Sequence, residues 1–354
     1  MNYAVIIAGG RGERFWPKSR VSFPKQLLPL VNKKSLLENT FERITPLIPQ
    51  KQIYISTNQN LQKNIKKIIK SNLNFIIEPL SQNTAAAIGL AATYIIKKDP
   101  KAVMIILTAD HHIKNELKFR DIIKKSLSIA EKDKVLITIG ITPNRPETGY
   151  GYIEAGQKCA NGLYPVLKFE EKPSLDKAQK MIKSGDFFWN SGIFIWSCES
   201  ILEEIKTYLP NLYTGLMKIA KYIGTSKEEK IKKEVFESLE SISIDYGIME
   251  KSKKVFMIKS SFSWDDLGSW ISLERIYKKN KDENIIVGEH IAYDTKNTII
   301  YNDNENSIVT TLGVSNLIII STKNAVLILD KNRHQEVKKI VEEMKKKNNL
   351  KKYL

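Results

Sequence analysis

The sequence predicts an α/β protein in which a large, doubly wound, Rossmann-like domain is followed by a small β-rich module and a C-terminal helix. Short apolar runs alternate with longer amphipathic stretches through the first half of the chain. From about Glu283, brief apolar pieces separated by turn residues take over, and a basic helical pattern completes the chain. We therefore expect three segments, at residues 1–280, 283–330 and 331–354.

In the first half, each apolar run has the length of a buried strand and each amphipathic stretch has helical spacing. The predicted strands are Ala4–Ile7, Ile53–Ser56, Phe75–Ile77, Val103–Leu107 and Val135–Gly140. The predicted helices are Leu36–Ile44, Leu61–Ile69, Asn83–Lys97 and Phe119–Lys132. Doubly wound sheets bind ligands at the carboxyl ends of their strands. We therefore expect functional side chains in the loops at 9–12, 78–84 and 108–112.

The remainder of the chain is predicted in shorter pieces. Between about 140 and 280 the predicted strands are Thr148–Ile153, Val166–Glu171 and Trp189–Trp196, and the predicted helices are Ile201–Thr207 and Lys227–Leu239. A short parallel coil or β-helix of irregular period is predicted from Ile285–Val287, Thr298–Tyr301, Ser307–Thr310, Leu317–Ser321 and Ala325–Leu329. The final pattern predicts a helix over His334–Lys347 with a frayed end at Asn348–Leu354.

The composition predicts a globular protein of the cytoplasm. Apolar residues make up 42% of the 354 residues and charged residues 27%, which is enough to build a sizeable core. No run approaches the ~18 apolar residues of a membrane span, and the N-terminus lacks the basic leader of a signal peptide. The two cysteines lie too far apart to indicate a metal knuckle and agree with a reducing compartment.

The formal net charge of +17 raises nucleic acid as a candidate partner. The excess is spread along a chain that is rich in Lys, Ile and Asn throughout. No helix–turn–helix spacing, zinc pattern or aromatic RNA-binding motif accompanies it. We therefore expect neither a nucleic-acid partner nor a membrane partner, because an anionic small substrate uses the same charge more simply.

The stretch after the first predicted strand carries the strongest chemical signal. The glycine loop, Ala8-Gly9-Gly10-Arg11-Gly12, can bring bare backbone N–H groups close to a ligand. Fixed positive charge lies within one loop's reach, on Arg11, Arg14, Arg20 and Lys25. This combination suits a polyphosphate, and the alternative is an ordinary glycine turn with surface cations.

Two common phosphate loops do not fit this stretch. A P-loop needs Gly-x-x-x-x-Gly-Lys-Ser/Thr, which the sequence lacks here. The dinucleotide fingerprint fits Gly10 and Gly12 but meets Phe15 at its third glycine. Ser56-Thr57 stand where an acidic residue would contact a ribose. A nicotinamide-dependent dehydrogenase is therefore disfavoured.

Carboxylates in two predicted loops indicate a Mg²⁺ site. Asp110 follows a predicted strand, where a hard cation could bridge substrate phosphates; the alternative is an Asp that caps the next helix. A second carboxylate could come from Asp265 or Asp266, in a turn flanked by aromatic residues. His111 and His112 are interpreted as ordinary residues, because no matching carboxylate–histidine set accompanies them.

A sugar phosphate needs a hydroxyl acceptor beside a cation, and the end of one predicted strand offers both. Strand alternation would send Glu171 and Lys172 to opposite faces, but Pro173 ends the strand there. Asn190, in Asn190-Ser191-Gly192, adds an amide with close backbone access. The sequence carries no recognisable nucleophilic triad. Attack by a phosphate oxygen on a nucleotide α-phosphorus needs none, only positioning, Mg²⁺ and cations that neutralise the departing pyrophosphate.

Together these residues closely resemble the signature of bacterial mannose-1-phosphate guanylyltransferases, also called GDP-mannose pyrophosphorylases. The resemblance covers essentially the whole chain. The glycine loop alone would indicate only a sugar nucleotidyltransferase, whereas the first motif and the Trp264–Trp270 motif are specific to the mannose and GTP branch. The matching motifs are Ala8-Gly9-Gly10-Arg11-Gly12-x-Arg14-x-Trp16-Pro17-x-Ser19-Arg20, Pro24-Lys25-Gln26, Glu78-Pro79, Asn83-Thr84-Ala85, Ala109-Asp110-His111, Pro146–Ile153, Phe169-x-Glu171-Lys172-Pro173, Trp189–Gly192, Ser243–Tyr246, Trp264–Trp270 and Leu312–Val314.

The resemblance implies transfer of GMP from GTP to α-D-mannose 1-phosphate, giving GDP-mannose and pyrophosphate. By motif match, Arg14 and Lys25 would stabilise the triphosphate and the transition state, and Lys172 would hold the sugar phosphate. Asp110, on the nucleotide side, and Asp266 would bind Mg²⁺. The resemblance also implies contacts of the nucleotide with Ala8, Gly9, Gly10, Arg11 and Gly12. Guanine and ribose would lie near Glu78, Asn83 and Thr84. Mannose would contact Gly151, Glu171 and Asn190.

The chain departs from the family pattern at a few positions. Gln82 and Ala86 stand where members usually carry Arg and Pro in the base loop, which bears on the strictness for guanine and mannose. Thr108 replaces a proline and Gly247 a common alanine, and neither change is expected to alter the chemistry. Many relatives also carry a phosphomannose isomerase domain of the cupin type, and a monofunctional enzyme is expected here.

Two other functions stay open at this point. One is a nucleotidyltransferase for another hexose 1-phosphate or nucleotide. The other is a non-catalytic regulatory subunit that binds sugar nucleotides, although such a protein would be expected to lose Arg14, Lys25 or a Mg²⁺ carboxylate. The β module and the helix around Ile340 carry apolar residues outside the catalytic part, so a homodimer through the β module is a further expectation.

Overall fold

The chain folds into two units, each built from two stretches of sequence. The computed structural model describes residues 1–69 and 71–354. The first unit comprises Met1–Gly9 and Glu38–Trp264, and the second comprises Gly10–Leu37 and Asp265–Leu354. The stretch after the first strand therefore belongs with the C-terminal part of the chain, which no sequence pattern indicates. The segment boundaries expected near 280 and 330 stay a prediction.

Strands and helices alternate as far as residue 141, except that the two-residue strand β5 follows β4 directly. The strands β1 and β4 are buried along nearly their whole length, as expected for short apolar runs in the middle of a sheet. Single 3₁₀ turns lie at Glu13–Phe15, Lys25–Leu27 and Gln50–Gln52. The elements are β1 (Asn2–Ile7), α1 (Leu36–Ile44), β2 (Ile53–Thr57), α2 (Gln59–Ile68), β3 (Asn74–Ile77), α3 (Asn83–Lys98), β4 (Val103–Thr108), β5 (His112–Ile113), α4 (Glu116–Asp133) and β6 (Leu136–Ile141).

The rest of the first unit adds strands and a group of helices. Its elements are β7 (Gly151–Ala155), β8 (Tyr164–Glu171), α5 (Leu175–Ser184), β9 (Phe187–Ser197), α6 (Cys198–Tyr208), α7 (Pro210–Tyr222), α8 (Glu228–Ser238), a π-helical turn (Asp245–Met249), β10 (Val255–Lys259) and β11 (Trp264–Asp265). The last of these strands, β11, ends one residue beyond the unit. Within the described ranges, no helix combines the length and the apolar character that crossing a membrane requires.

A mixed sheet forms the centre of the first unit. Its strand order is β3-β2-β1-β4-β9-β6-β10-β8-β7, with β7 also paired to β9. β1 runs parallel to β2 and β4, and β2 runs parallel to β3. The antiparallel strand β9 joins this half to β6. Because β1, β3 and β4 run the same way, Ala8, Glu78 and Asp110 all leave the same edge of the sheet.

The predicted fold class is confirmed, although two helices of the first unit escape the sequence patterns. α5 begins after Ser174, whose hydroxyl accepts a hydrogen bond from the Lys177 N–H at 3.4 Å. α7 carries Pro210 in its first turn. A serine N-cap and a first-turn proline are recognised helix starts, so these residues are the signals that could have marked both helices.

The second unit contains the predicted β-helix. β12, β14 and β16 pair in parallel, β13 and β15 form a second parallel pair, and β17 closes antiparallel against β16. The register steps from Ile285 to Ile299 and then to Ile318, unequal intervals that explain why no period is visible in the sequence. β13 is the strand that the patterns missed. The elements are β12 (Ile285–Val287), β13 (His290–Tyr293), β14 (Ile299–Asn302), β15 (Val309–Leu312), β16 (Leu317–Thr322), β17 (Ala325–Asp330), α9 (Val337–Lys346) and 3₁₀ segments at Trp270–Arg275, Lys331–Glu336 and Asn348–Tyr353.

The stretch Gly10–Leu37 supplies part of the core of this second unit. The fully buried ring of Phe15 lies with its centre 5.1 Å from that of Trp270, which in turn lies 5.3 Å from Tyr301 of β14. Leu28 and other apolar residues of the stretch join the same cluster. The residues that follow the glycine loop are therefore held by the β-helix.

The C-terminal helix α9 packs against the same core through one face. Val337, Val341 and Met344 are buried at helical spacing, whereas Ile340 on another face is 42% exposed. The Lys345 ammonium group adds an ion pair with the Glu13 carboxylate at 2.6 Å.

The expectation of a frayed end at Asn348–Leu354 is wrong. This segment forms a 3₁₀ helix, and Leu350 and Tyr353 pack against the core of the second unit. The indole N–H of Trp16 donates to the Tyr353 carbonyl oxygen at 2.9 Å. The apolar side chains in this lysine-rich tail, such as Leu350 and Tyr353, are the sequence feature that could have predicted a docked end rather than a frayed one.

Met344→Ala should destabilise the protein, because it leaves a cavity between α9 and the core of the second unit. We expect the free energy of unfolding to fall by about 2–4 kcal/mol in urea titrations followed by circular dichroism. Ile340→Ala, on the exposed side of the same helix, is the matched control and should change stability by less than about 1 kcal/mol. Equal losses in the two variants would show that α9 is not docked as described.

Candidate active site

The glycine loop leaves β1 at its carboxyl end. The Ala8 N–H donates to the Ser56 carbonyl oxygen at 2.8 Å, and the Thr57 hydroxyl donates to the Ala8 carbonyl oxygen at 3.0 Å. The start of the loop is therefore tied to the end of β2. A Cβ atom added to Gly9 or Gly10 would meet no described atom within 4 Å. The backbone at these two glycines is open to a ligand.

Gly12 differs from the other glycines of the loop because it lies directly against Lys25. Its backbone is left-handed, with a φ of 63°. A Cβ atom at Gly12 would fall 2.2 Å from the Lys25 Cβ and 2.9 Å from the Lys25 backbone nitrogen. A glycine meets both requirements at no steric cost. The absence of a side chain at Gly12 thus allows Lys25 to pack directly against the loop.

Lys25 and Arg14 both reach the turn that contains Asp266. The side chain of Lys25 is buried, and its Nζ donates to the Asp266 carbonyl oxygen at 2.6 Å. Arg14 Nη1 approaches the Gly268 carbonyl oxygen at 3.4 Å. Within the second unit, the fold therefore brings together four residues that the sequence predicts for the site: Gly12, Arg14, Lys25 and Asp266.

The other two loop cations have different environments. Arg20 donates to the Tyr353 carbonyl oxygen and, at 2.9 Å, to Asn324 Oδ1, and burial lowers the pKa of its guanidinium. Arg11 is 72% exposed, with Nη1 3.9 Å from the Glu13 carboxylate. Arg20 therefore tethers the loop to the C-terminal segment. The sequence shows only that Arg20 is a cation near the loop, which does not distinguish this structural role from phosphate binding.

The two adjacent aspartates of the Trp264–Trp270 motif also differ. Both carboxylate oxygens of Asp265 accept hydrogen bonds from the Arg275 guanidinium, the Nη2–Oδ1 distance being 2.8 Å. Asp265 Oδ1 also accepts the Leu267 N–H at 2.9 Å. Asp266 Oδ1 accepts the Gly268 N–H at 3.0 Å, a local turn contact. Asp265 is thus bound to a cation of the protein itself.

In the first unit, Glu171 and Lys172 meet where β8 ends. Lys172 has a φ of 51°, in the left-handed region, and its Nζ pairs with the Glu171 carboxylate. Its N–H donates to the Tyr150 carbonyl oxygen at 3.1 Å. A Cβ atom at Gly151 would lie only 2.4 Å from Glu171 Oε2, so this carboxylate lies against bare backbone. The side chains of Glu171 and Lys172 therefore lie side by side where the strand ends.

Asn190 lies beside this pair, and both ends of its amide are held. Its Oδ1 accepts the Thr138 hydroxyl at 2.9 Å and the Gly192 N–H at 3.3 Å. Its Nδ2 donates to Asp245 Oδ1 at 2.9 Å. Sequence reasoning did not find Thr138, which is a buried residue of an apolar strand. It noted Asp245 only within a motif and gave it no role.

Glu78 follows β3 and lies beside the end of β2. Its Oε1 accepts the Ser56 hydroxyl at 2.8 Å, and its N–H donates to the Thr57 carbonyl oxygen at 2.9 Å. Burial raises the pKa of the Glu78 carboxyl, and the hydrogen bond from Ser56 opposes that shift. A carboxylate from the strand next to β2 therefore lies beside the end of β2.

The loop before α3 is tied to the chain around 236–244. Asn83 has a φ of 66°, and its Oδ1 accepts the Thr84 N–H at 2.9 Å. The Thr84 hydroxyl accepts the Ile244 N–H at 2.8 Å. Gln82 Nε2 donates to the Phe236 carbonyl oxygen at 2.9 Å. Gln82, one of the departures from the family pattern, therefore anchors this loop.

Asp110 lies partly buried in the turn after β4, beside an aromatic cluster. His111 Nδ1 accepts the indole N–H of Trp264 at 3.1 Å, and the two rings meet edge to face. The buried Arg43, whose pKa burial lowers to about 10, approaches the His111 carbonyl oxygen at 3.5 Å. The His111 ring is therefore packed against Trp264.

No group of three or more His, Cys, Asp or Glu side chains with the arrangement of a metal site occurs in the described part of the chain. Mg²⁺ does not require such a group, because it typically takes one or two protein carboxylates and completes its shell with substrate phosphates and water.

Two family models match the chain. The first, described as nucleotidyl transferase, matches residues 3–283, and the second, described as a MannoseP isomerase/GMP-like beta-helix domain, matches residues 288–344. Together they account for the sheet of the first unit and for the β-helix.

Known proteins resemble the chain over nearly its full length. Mannose-1-phosphate guanylyltransferase 2 of Escherichia coli O157:H7 is 38% identical over 97% of this chain and 73% of its own length. The mannose-1-phosphate guanylyltransferase RfbM of Salmonella typhimurium is 38% identical, with 97% of this chain and 72% of its own length covered. A structure from Thermus thermophilus, described as a mannose-1-phosphate geranyltransferase, has a TM-score of 0.88 at 34% identity and covers 97% of this chain and 99% of that chain. The chain therefore belongs to the mannose-1-phosphate guanylyltransferases, a family of nucleotidyltransferase enzymes.

Proposed function

We propose that the chain transfers GMP from GTP to α-D-mannose 1-phosphate, giving GDP-mannose and pyrophosphate. The observation that carries this proposal is the match of 97% of the chain to mannose-1-phosphate guanylyltransferases. A phosphate oxygen of the sugar phosphate attacks the α-phosphorus of GTP and forms a new phosphorus–oxygen bond. The bond from the α-phosphorus to the oxygen that bridges to the β-phosphorus breaks, and that oxygen leaves with pyrophosphate.

On the nucleotide side, the glycine loop would donate backbone N–H groups to the phosphates, and Arg14 and Lys25 would neutralise charge that develops on the leaving pyrophosphate. The open backbone at Gly9 and Gly10 supports this assignment. The close packing of Gly12 on Lys25 also supports it, because it holds one cation rigidly beside the loop. Positioning a charge before the reaction avoids reorganisation during it.

Asp110 and Asp266 would hold Mg²⁺, since a pair of carboxylates is a hard donor set that suits this cation. When bound, the ion would neutralise phosphate charge. Asp266 is the aspartate that matches the family motif for a metal ligand, whereas the Asp265 carboxylate is paired with Arg275. Asp265 would then hold the turn in which Asp266 lies.

On the sugar side, Lys172 would bind the phosphate of mannose 1-phosphate, and Glu171, Asn190 and the backbone at Gly151 would bind the hydroxyl groups. The ion pair of Glu171 with Lys172 supports this assignment, because it keeps an acceptor and a cation side by side. The exposed Lys172, 57% accessible, can exchange one anionic partner for another.

Glu78, Asn83 and Thr84 would lie near guanine and ribose. A carboxylate suits guanine, whose Watson–Crick edge presents N–H donors. The hydrogen bond from Ser56 supports this role for Glu78, because it stabilises the charged form of a buried carboxyl. The tether of Gln82 to Phe236 supports an ordered base loop despite the departure from the family pattern.

A homodimer through the β module is also proposed. Several large apolar side chains of the module are more than half exposed, and Ile308, Leu312, Val326 and Ile328 line one shared depression, a kind of apolar surface that often marks an interface. Tyr293 and Leu312 are direct neighbours in the pairing of β13 with β15 and are 72% and 73% exposed. The others are Ile291, Ile308, Val326 and Ile328.

The reaction is tested by a matrix of nucleotides and sugar phosphates. With Mg²⁺, GTP and mannose 1-phosphate should give GDP-mannose and pyrophosphate, with kcat/KM at least about tenfold above that of any other pair. Faster turnover of dTTP or UTP with glucose 1-phosphate would assign a sister specificity. No turnover of any pair, with retained binding of sugar nucleotides, would favour the regulatory subunit.

Paired substitutions test the choice between the two aspartates. Asp266→Asn should lower kcat by about 100-fold or more while leaving the melting temperature nearly unchanged, because it removes charge from the proposed metal pair. Asp265→Asn should instead lower the melting temperature, because Arg275 loses its bidentate partner. The reverse pattern would assign the metal to Asp265.

The dimer is tested by placing a charge on the exposed apolar surface. We expect light scattering to give the mass of two chains for the unmodified protein and of one chain for Leu312→Glu. Leu117→Glu is a matched control, because Leu117 of α4 is also a leucine with 73% exposure but lies outside the β module. A monomeric unmodified protein would contradict the proposal.

A further inference from the structure

The amide of Asn190 needs a partner that fixes its orientation. An amide can rotate by half a turn, which exchanges its oxygen and its nitrogen. The Thr138 hydroxyl, which holds one end, can donate or accept and therefore permits either orientation. The Gly192 N–H specifies the oxygen, but at 3.3 Å it is a weak contact.

Asp245 can fix the orientation of the Asn190 amide, which Thr138 cannot. When it is ionised, above a pH of about 7, the Asp245 carboxylate only accepts hydrogen bonds, so it can then face only the nitrogen of the Asn190 amide. Its contact with Nδ2, at 2.9 Å, is the shortest defined contact that distinguishes the two ends of the amide. Among the described contacts, Thr138 and Gly192 engage the oxygen and Asp245 engages one N–H, so the second N–H can meet a ligand.

The charges around Asp245 come from the end of β8. Burial and the nearby Glu171 carboxylate raise the pKa of Asp245 from its ordinary value of 3.8 to about 7, while Asn190 and Lys172 oppose the shift. Glu250, on the following turn, also has its pKa raised by burial and by Glu171. The protein keeps a carboxyl where it is costly to ionise, which indicates a use for it beyond packing.

We propose that Asp245 is a positioning residue for the sugar phosphate, acting through Asn190 by directing the remaining N–H of its amide towards a sugar hydroxyl. This inference rests on the proposed function, which assigns Asn190 to the sugar. It gives a role to the Ser243–Tyr246 motif, which the residue assignments above leave unused. It also explains why the Asn190 amide of β9 lies between the Thr138 hydroxyl of β6 and the Asp245 carboxylate of the π-helical turn.

The test separates the two substrates. Asp245→Ala should raise the KM for mannose 1-phosphate about tenfold, the effect of losing one oriented hydrogen bond, while the KM for GTP changes by less than about twofold. Asp245→Asn can donate as well as accept and so cannot fix the orientation of the Asn190 amide, and it should recover little of the loss. Unchanged KM for the sugar phosphate in Asp245→Ala, or an equal rise in both KM values, would overturn the inference.

A double-substitution cycle tests whether the effect passes through Asn190. If it does, adding Asp245→Ala to Asn190→Ala should cause no further rise in the KM for mannose 1-phosphate. Effects that multiply would show that Asp245 acts independently of Asn190 and would overturn the proposal. If the unmodified protein does not use mannose 1-phosphate, the proposed function fails and the inference fails with it. If the unmodified protein does use it but the two effects multiply, only the inference fails, so the two cases are distinguishable.

The pH dependence of stability reports whether the variants retain the folded environment. Because Asp245 has a higher pKa in the folded chain than in the unfolded chain, the folded state holds its proton more tightly. Its contribution to stability is present at low pH and is lost as the pH rises to about 7. Asp245→Asn should therefore gain stability relative to the unmodified chain between about pH 4 and pH 7. A relative loss would show that folding lowers the pKa of Asp245 rather than raising it.

Discussion

The burial of Phe15 against Trp270 is the contact on which the glycine loop depends. The loop is followed only by single 3₁₀ turns, at Glu13–Phe15 and Lys25–Leu27, and such short helices have little stability of their own. Their geometry must come from tertiary packing. The aromatic cluster that continues through Tyr301 supplies it, and the left-handed Gly12 then fixes Lys25 against the loop.

Positive charge near the loop serves two purposes, and the partners of each cation separate them. Lys18 and Arg20 contact the Asp303 carboxylate and the Tyr353 carbonyl oxygen, so they attach the loop to the rest of the second unit. Arg14 and Lys25 instead meet backbone carbonyl oxygens of the turn that contains Asp266. These contacts hold both cations at the turn that contains Asp266, where the proposed function needs positive charge.

The sequence predicts the sheet well because its strands are short, apolar and buried, so local composition carries the information. The residue types of the candidate site are likewise visible in short motifs. Contacts between distant residues are not: Thr138 and Asp245 lie 52 and 55 residues from Asn190, and no spacing rule joins them. The attachment of Gly10–Leu37 to the β-helix is hidden for the same reason, since Phe15 looks like any apolar residue in a loop.

The interleaving of the two units limits how such a protein can be rearranged. A recombination event near residue 280 would join the early part of one gene to the late part of another. In the product, the Phe15 of one parent would have to pack in a core whose Tyr301 and Val341 come from the other parent. Exchange of the β-helix between diverged genes therefore requires matched changes in the residues after the glycine loop. The two stretches of the second unit are expected to be inherited together, although most of the chain lies between them.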